Sequence, residues 1–150
     1  MVLIRKIEER DSAEFIRMAN EFYSGPGVLH KVDPMVIKRT LDEMLADSPF
    51  LEGFIFEKEG KVIGYAELSY SFAPEVGGRS IFIEEIFVDE GYRGMGIGHQ
   101  FLDYCVSLVQ GETRRIRLEA TRSNEKAIAL YRSYGFTELD YMQMVIDKPN

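Results

Sequence analysis

The residues best able to do chemistry gather in one segment, Ile83-Glu-Glu-Ile-Phe-Val-Asp-Glu-Gly-Tyr-Arg-Gly-Met-Gly-Ile-Gly-His99. A strand-like apolar run passes through a short turn into alternate glycines and then into helical spacing. Bare glycines let backbone N–H groups approach an anion. The start of a helix adds unpaired donors and a dipole worth roughly +0.5 charge. This is a cradle for a diphosphate built from backbone, and it works in an acidic protein. Gly94, Gly96 and Gly98 each cost the helix start roughly 0.5–1 kcal/mol against alanine, which a backbone contact to a ligand would offset. Two phosphate-binding patterns fit poorly. A Walker loop needs a lysine, and none lies between Lys61 and Lys126. A dinucleotide fingerprint needs Gly-x-Gly-x-x-Gly straight after the strand, whereas here Asp89 to Arg93 intervene and the spacing is Gly94-x-Gly96-x-Gly98. Glu119 stands about 20 residues on, where a ribose-binding acid would stand, but too little chain remains for a second nucleotide-binding half.

The cradle needs a sheet and helices around it. Val2 to Ile7 reads as a first strand. Asp11 or Ser12 can cap a helix carrying Phe15, Ile16, Met18, Ala19 and Phe22, which Ser24 to Val28 breaks. Asp33-Pro34 starts a second helix with the stripe Met35, Ile37, Leu41, Met44 and Leu45, ended by Ser48-Pro49. Phe54 to Phe56 and Val62 to Tyr70 flank the hairpin signal Glu59-Gly60-Lys61. Ala73 to Gly78 is a loop, and Ser80 to Val88 another strand. The helix from Ile97 carries Phe101, Leu102, Cys105 and Leu108 and closes at Gly111. Arg115 to Thr121 reads as a strand, Asn124 to Tyr134 as a helix with Gly135 at its C-terminal cap, and Tyr141 to Ile146 as a last strand. The order is β-α-α-β-β-β-α-β-α-β.

Composition sets outer limits. The chain has 150 residues, 45% hydrophobic and 29% charged, which suits one domain with a core of its own. A single cysteine, Cys105, excludes an intramolecular disulfide, and with only His30 and His99 it argues against a Cys/His zinc site. A net charge of -7 argues against a basic nucleic-acid binder. Met1 to Ile7 does not read as a signal peptide, and no run approaches the ~18 apolar residues of a membrane span. The expected setting is a reducing cytoplasm.

A third pattern, Arg/Gln-x-x-Gly-x-Gly/Ala, is met by Arg93-Gly-Met-Gly96-Ile-Gly98. It resembles the acyl-CoA pyrophosphate loop of the GCN5-related N-acetyltransferase (GNAT) superfamily. In that family an Ile-x-Val-type strand end precedes the loop, matched by Ile86-Phe-Val88. Asn, an Ala-rich helix and Leu-Tyr-x-x-x-Gly-Phe follow, matched by Asn124, Ala127, Ala129, Leu130-Tyr131 and Gly135-Phe136. The resemblance covers the chain by element order and residues 81 to 136 by motif. It implies an α/β (α+β) fold: a central, mostly antiparallel mixed sheet with helices on both faces, in one domain spanning 1–150. It also implies acetyl-CoA as co-substrate, no metal, and direct attack without a covalent enzyme intermediate. The loop of Arg93, Gly94, Met95, Gly96, Ile97 and Gly98 would hold pyrophosphate. Backbone at Ile86, Phe87 and Val88 would hold pantetheine, with Asn124 beside that arm.

Transfer of an acetyl group to an amine poses two proton problems. An alkyl ammonium, with a pKa near 10.4, is about one part in a thousand neutral at pH 7, so a base must take its proton. The departing thiolate, whose thiol has a pKa near 8.5, needs a donor. The resemblance sets Tyr131 by the sulfur as that donor. Tyr131 follows Asn124 by about two helical turns, on the same face. A phenol is the weaker acid by ~1.5 units, so hydrogen bonding to the thiolate serves as well as full transfer. The alternative for Tyr131 is a buried structural tyrosine, and Tyr134 reads as packing. The stretch around Glu84-Glu85 is similar to Leu-Glu-Asp-x-x-Val of diamine (spermidine/spermine) acetyltransferases. That likeness makes Glu84 the base, directly or through water, and Glu85 a contact to a cationic substrate. Glu85 departs from the family's aspartate, which leaves the acceptor open. Adjacent strand residues point to opposite faces, so only one of the two glutamates enters a cleft unless a bulge intervenes. Otherwise they are solvated strand charges. Glu67 adds negative charge nearby in an unknown direction. Cys105 and the seven methionines read as packing, and Arg79, Arg114, Arg115 and Arg122 as surface charges. The expected activity is an acetyl-CoA-dependent N-acetyltransferase acting on a small cationic amine or polyamine. A protein or peptide amine and a non-catalytic acyl-CoA-binding module are the alternatives. Homodimers are common among the proteins it resembles.

Overall fold

In a computed structural model, which describes residues 1–26 and 28–150, five strands form one sheet in the order β1-β2-β3-β4-β5. They are β1 (Leu3–Lys6), β2 (Leu51–Lys58), β3 (Lys61–Ala73), β4 (Gly78–Val88) and β5 (Thr113–Leu118). The first four run antiparallel to their neighbours, and β5 joins β4 in parallel. The parallel pair requires a crossover, supplied by α3 (Ile97–Ser107). The other helices are α1 (Ser12–Tyr23), α2 (Pro34–Leu45) and α4 (Glu125–Ser133).

Helices cover both faces, as expected. On one face α1 and α2 bury Phe15, Met18, Ile37 and Leu41 against Ile55, Tyr65 and Phe87. On the other, α3 buries Phe101, Leu102 and Cys105 against Phe54, Phe56, Leu68, Ile81 and Ile83, with Leu130 and Tyr131 of α4 packed at its margin.

Local signals explain the element ends. Asp33 Oδ1 accepts from the Met35 amide at 2.8 Å, with Pro34 at the first helical position. Asn124 Oδ1 accepts from the Ala127 amide at 3.4 Å, and Gly135 closes α4 at φ 95°. Glu59 and Gly60 both take positive φ in the two-residue β2–β3 turn. At the start of α1, Asp11 behaves differently from a simple cap. A short 3₁₀ turn, Glu9–Asp11, precedes the helix, and the Asp11 side chain binds the Arg5 guanidinium instead.

Three expectations need correction. Tyr141 to Ile146 forms no strand: the segment is irregular, and Met142, Met144 and Ile146 lie in solvent. Without a paired neighbour, its β-prone residues gain no ladder. The methionines are not uniformly packing residues. Met18 and Met44 are buried, but Met35, Met95, Met142 and Met144 are exposed. Arg115 is more than a surface charge, being largely covered and paired with Glu75 at 3.3 Å. The break after α1 expected at Ser24 to Val28 falls partly on Gly27, which lies outside the described residues.

Candidate active site

The centre of the site is an irregularity in β4. Its apolar residues on the α3 face are Ile81, Ile83, Ile86 and Val88, spaced 2, 3 and 2. The extra step is a β-bulge: Glu67 pairs with Glu85 and Leu68 with Ile83, so Glu84 has no partner on β3. Ile83 and Ile86 both face α3, which turns Glu84 and Glu85 together toward α1. Their contacts agree. Glu85 Oε1 accepts from the Tyr65 hydroxyl at 2.7 Å, Glu85 Oε2 accepts from the Tyr23 hydroxyl, and Glu84 Oε2 accepts from the Ser69 hydroxyl at 2.6 Å. Tyr65, Glu67 and Ser69 alternate along β3, so all three share that face.

Glu67, directly opposite Glu85, is the residue whose direction the sequence left open. It is 3% exposed, and its Oε2 has no hydrogen-bond partner among the described residues. Burial and the neighbouring Glu85 and Glu84 charges push its carboxyl well above the usual range. Burial also raises Glu85, against the two tyrosine hydroxyls, which favour its charged form. Among the described residues, no Lys, Arg or His pairs with Glu67, Glu84 or Glu85, although many acids elsewhere are paired. The sequence reading missed Tyr23 and Tyr65. Tyr65-x-Glu67 on one strand face was the available signal for the second, whereas Tyr23 comes from a helix distant in sequence. Arg17 of α1 reaches Asp89 at the end of β4 at 3.0 and 3.1 Å, pinning the helix that brings Tyr23 in.

The same bulge marks where two strands part. The β4–β5 ladder ends at Ile83–Leu118, while β4 runs on to Val88. Backbone from Glu84 to Val88 therefore has no β5 neighbour, and an opening separates the strands. Tyr131 stands on the far side of the sheet from the glutamates, partly buried with the α3 cluster and edge-on to Phe136 at 6.0 Å. Burial raises its phenol, so it is a neutral donor near pH 7. Its hydroxyl makes no hydrogen bond among the described residues. It also lines a groove of about 630 Å³ with Ile116, Leu118 and Ile128.

The glycine turn sits beyond the opening. Gly94 and Gly96 take φ 77° and 79°, where a Cβ is strained, and Gly96 is the N-cap of α3. Gly98 has no such backbone demand. Apart from its own chain neighbours and helix backbone, a Cβ at any of the three would meet no atom of the described residues within 4 Å, so packing among them does not require glycine there. Room is left outside the helix start, where the amides of Ile97, Gly98 and His99 have no partner within the helix. Met95 is exposed at the tip, while Ile97 is buried as the anchor of α3. Arg93 turns back: its Nε donates to the Val88 carbonyl at 2.7 Å, and its guanidinium covers the buried Phe87 ring at 5.5 Å. Ile86 and Val88 pack partly buried on the α3 face, leaving their backbone at the opening. These features fit a diphosphate followed by a narrow arm passing between β4 and β5.

Residues 14–136 match the Acetyltransferase (GNAT) family. The chain belongs to that family. A thialysine N-epsilon-acetyltransferase of Sus scrofa is 29% identical over 150 residues, covering 92% of this chain and 85% of its own. A spermine/spermidine N(1)-acetyltransferase of Bacillus subtilis is 32% identical over 93 residues, covering 55% and 59%. A possible acetyltransferase from Clostridium difficile superposes with a TM-score of 0.84 at 20% identity, over 100% of this chain and 99% of that one. A predicted acetyltransferase from Clostridium acetobutylicum, solved with acetyl-CoA, gives 0.76 at 21%, over 97% and 96%. The protein is thus a GNAT acetyltransferase acting with acetyl-CoA.

Other candidates in this GNAT chain take structural places. Cys105 is wholly buried and burial pushes its thiol up to about 12, so it cannot serve as a nucleophile near neutral pH. The Tyr134 hydroxyl lies 2.8 Å from Asp103 Oδ1 and 3.0 Å from the His99 carbonyl, tying α4 to α3. Arg122 pairs with Glu138 at 2.8 Å on the surface.

Proposed function

We propose that residues 1–150 act as one catalytic domain that moves an acetyl group from acetyl-CoA to a primary amine of a small cationic acceptor. The observation that carries this reading is the set of three carboxyl groups, Glu67, Glu84 and Glu85, gathered on one sheet face at the opening of β4 with no cation beside them among the described residues. Acidic groups without a cation beside them attract and hold an ammonium group. The resemblance to diamine acetyltransferases points the same way, as do relatives whose names specify thialysine and polyamines.

The co-substrate supplies an activated thioester carbonyl. The amides of Gly94 to Gly98 and the start of α3 hold its diphosphate, with Arg93 bracing the turn against Val88. Backbone at Ile86 to Val88 binds the pantetheine arm, and Asn124 flanks it at the start of α4. Glu84, the most exposed of the three acids, takes the proton of the attacking amine, directly or through a water. Glu85, braced by Tyr23 and Tyr65, holds cationic charge. Tyr131, on the opposite face of the opening, donates to the departing sulfur. The acid and the base thus reach one reacting centre from the two sides of the sheet.

A thiol-release assay with acetyl-CoA against a panel of polyamines, amino acids, aminoglycosides and peptides tests this. Turnover with small cationic amines is expected. Within it, Glu84→Gln should lower kcat about a hundredfold with little change in KM. Glu85→Gln should act chiefly on the acceptor KM. Turnover confined to peptide amines would overturn the small-acceptor assignment.

A further inference from the structure

Glu67 is not needed to explain either the base or the co-substrate loop, yet it is the most thoroughly buried acid at the site. It faces Glu85 directly across β3 and β4. The groups around it are Glu84 and Glu85 from β4, the Tyr23 hydroxyl from α1 and the Tyr65 hydroxyl on its own strand. Across β2 its register partner is Gly53, which contributes no polar side chain. No basic residue is among them. Both hydroxyls are already spent on the two oxygens of Glu85, and Glu67 Oε2 has no hydrogen-bond partner among the described residues. Two carboxyl groups this close, buried and without a cation, do not both ionise. The two hydroxyl donors favour charge on Glu85, while burial and the neighbouring acids disfavour it on Glu67, so the proton belongs to the pair.

Building on the acceptor reading above, we propose that Glu67 is a specificity-determining residue: the Glu67–Glu85 pair holds one proton until an acceptor's non-reacting ammonium reaches it, and Glu67 then releases that proton to solvent. The exchange balances, since one positive charge enters the pair and one proton leaves it by way of exposed Glu84. The pair then carries two negative charges against the incoming cation. Acceptors with a second cationic nitrogen gain from this, because their reacting amine sits at Glu84 while the other nitrogen sits deeper. A monoamine cannot occupy both places. A neutral glutamine at position 67 would keep the size but could not supply the second charge.

Calorimetry on the enzyme with coenzyme A, titrated with 1,4-diaminobutane and with butylamine in buffers of different ionisation enthalpy, counts the protons. Wild type is expected to release about one proton on binding the diamine, and Glu67→Gln none. Glu67→Gln should also raise the diamine KM at least about tenfold, a larger rise than it causes for butylamine. Infrared difference spectroscopy on the wild-type chain needs no variant. Adding the diamine should remove the carbonyl band of a neutral carboxylic acid. No proton release by wild type, no loss of that band, or a Glu67→Gln enzyme with unchanged diamine KM would each overturn the proposal. An enzyme that binds the diamine with proton release but acetylates no amine would instead sink the proposed function while leaving the pair standing. Failure of the diamine to bind would overturn the proposal about the pair, while the acceptor panel decides the proposed function separately.

Discussion

At the scale of single residues, roles depend on which donors are already committed. The Tyr131 hydroxyl makes no hydrogen bond among the described residues, whereas Tyr23 and Tyr65 are both engaged by Glu85 and Tyr134 by Asp103 and His99. Of these four, the first is the one left to serve a ligand atom. Tyr131→Phe should therefore lower kcat by about a hundredfold and leave the dissociation constant for CoA nearly unchanged, as stopped-flow turnover and calorimetry would show. Equal losses in both would mean that the ring only packs. Tyr131, Glu84 and Glu85 stood out in the sequence through their likeness to the family's motifs, and their roles are the proposal made above. Glu67 was seen only as a nearby charge, because a single acid in an apolar strand does not announce its direction. That direction comes from register with β4, a long-range pairing. Tyr23 was illegible for a similar reason, since nothing in the sequence of α1 says which strand residue its hydroxyl will meet.

Elements place these residues by small departures from regularity. The bulge at Glu84 gives both glutamates one face and ends the contact between β4 and β5 nearby. The spacing Ile81-x-Ile83-x-x-Ile86-x-Val88 contains the bulge, so this feature could have been read from sequence by asking which strand apolar residues must share a face. The helix caps at Asp33 and Asn124 and the glycine turn were readable because their signals are local. The irregular segment from Tyr141 to Ile146 was misread because its composition suits a strand, while a strand also needs a neighbour to pair with. The glycine turn allows a prediction that separates backbone strain from ligand approach. Gly96→Ala forces an alanine into positive φ and should cost about 1–2 kcal/mol of stability as well as CoA affinity. Gly98→Ala brings its methyl within 4 Å of no atom of the described residues beyond its own helix and chain neighbours, and Gly98 has no positive φ, so the change should leave thermal stability intact or improve it slightly. Its CoA affinity should nevertheless fall about tenfold, since the added methyl stands where a diphosphate must come close. Unchanged affinity in Gly98→Ala would move the diphosphate off this turn.

Over the whole molecule, two acidic sites of opposite character bend the dependence of stability on pH. Asp11 is 3% exposed and receives both Nη atoms of Arg5 at 2.8 and 2.9 Å, while Arg5 Nε also holds Glu57 at 2.9 Å. Burial alone would raise the Asp11 carboxyl, but the Arg5 hydrogen bonds and charge outweigh it and hold it low. Its stabilising contribution is therefore complete above the unfolded value near 3.9 and is lost as pH falls through the lower folded value. Asp11→Asn should cost about 3 kcal/mol at pH 7, by leaving Arg5 short of a partner, and the difference from wild type should shrink toward pH 3. Glu67 works in the other direction. Its folded value is held above the unfolded one near 4.3, so between the two the folded chain binds more protons than the unfolded chain. Stability then falls as pH rises through that window. Glu67→Gln removes this loss, so the variant should melt higher than wild type at pH 8 by more than it does at pH 5, at roughly 2–4 °C per kcal/mol for a chain of this size. A melting difference independent of pH would mean that Glu67 is ionised throughout. The stability given up at neutral pH by an unpaired acid on the α1 face is what an acceptor's positive charge would restore. Diamine binding should therefore raise the wild-type melting temperature more at pH 8 than at pH 5, and raise that of Glu67→Gln by less at either pH.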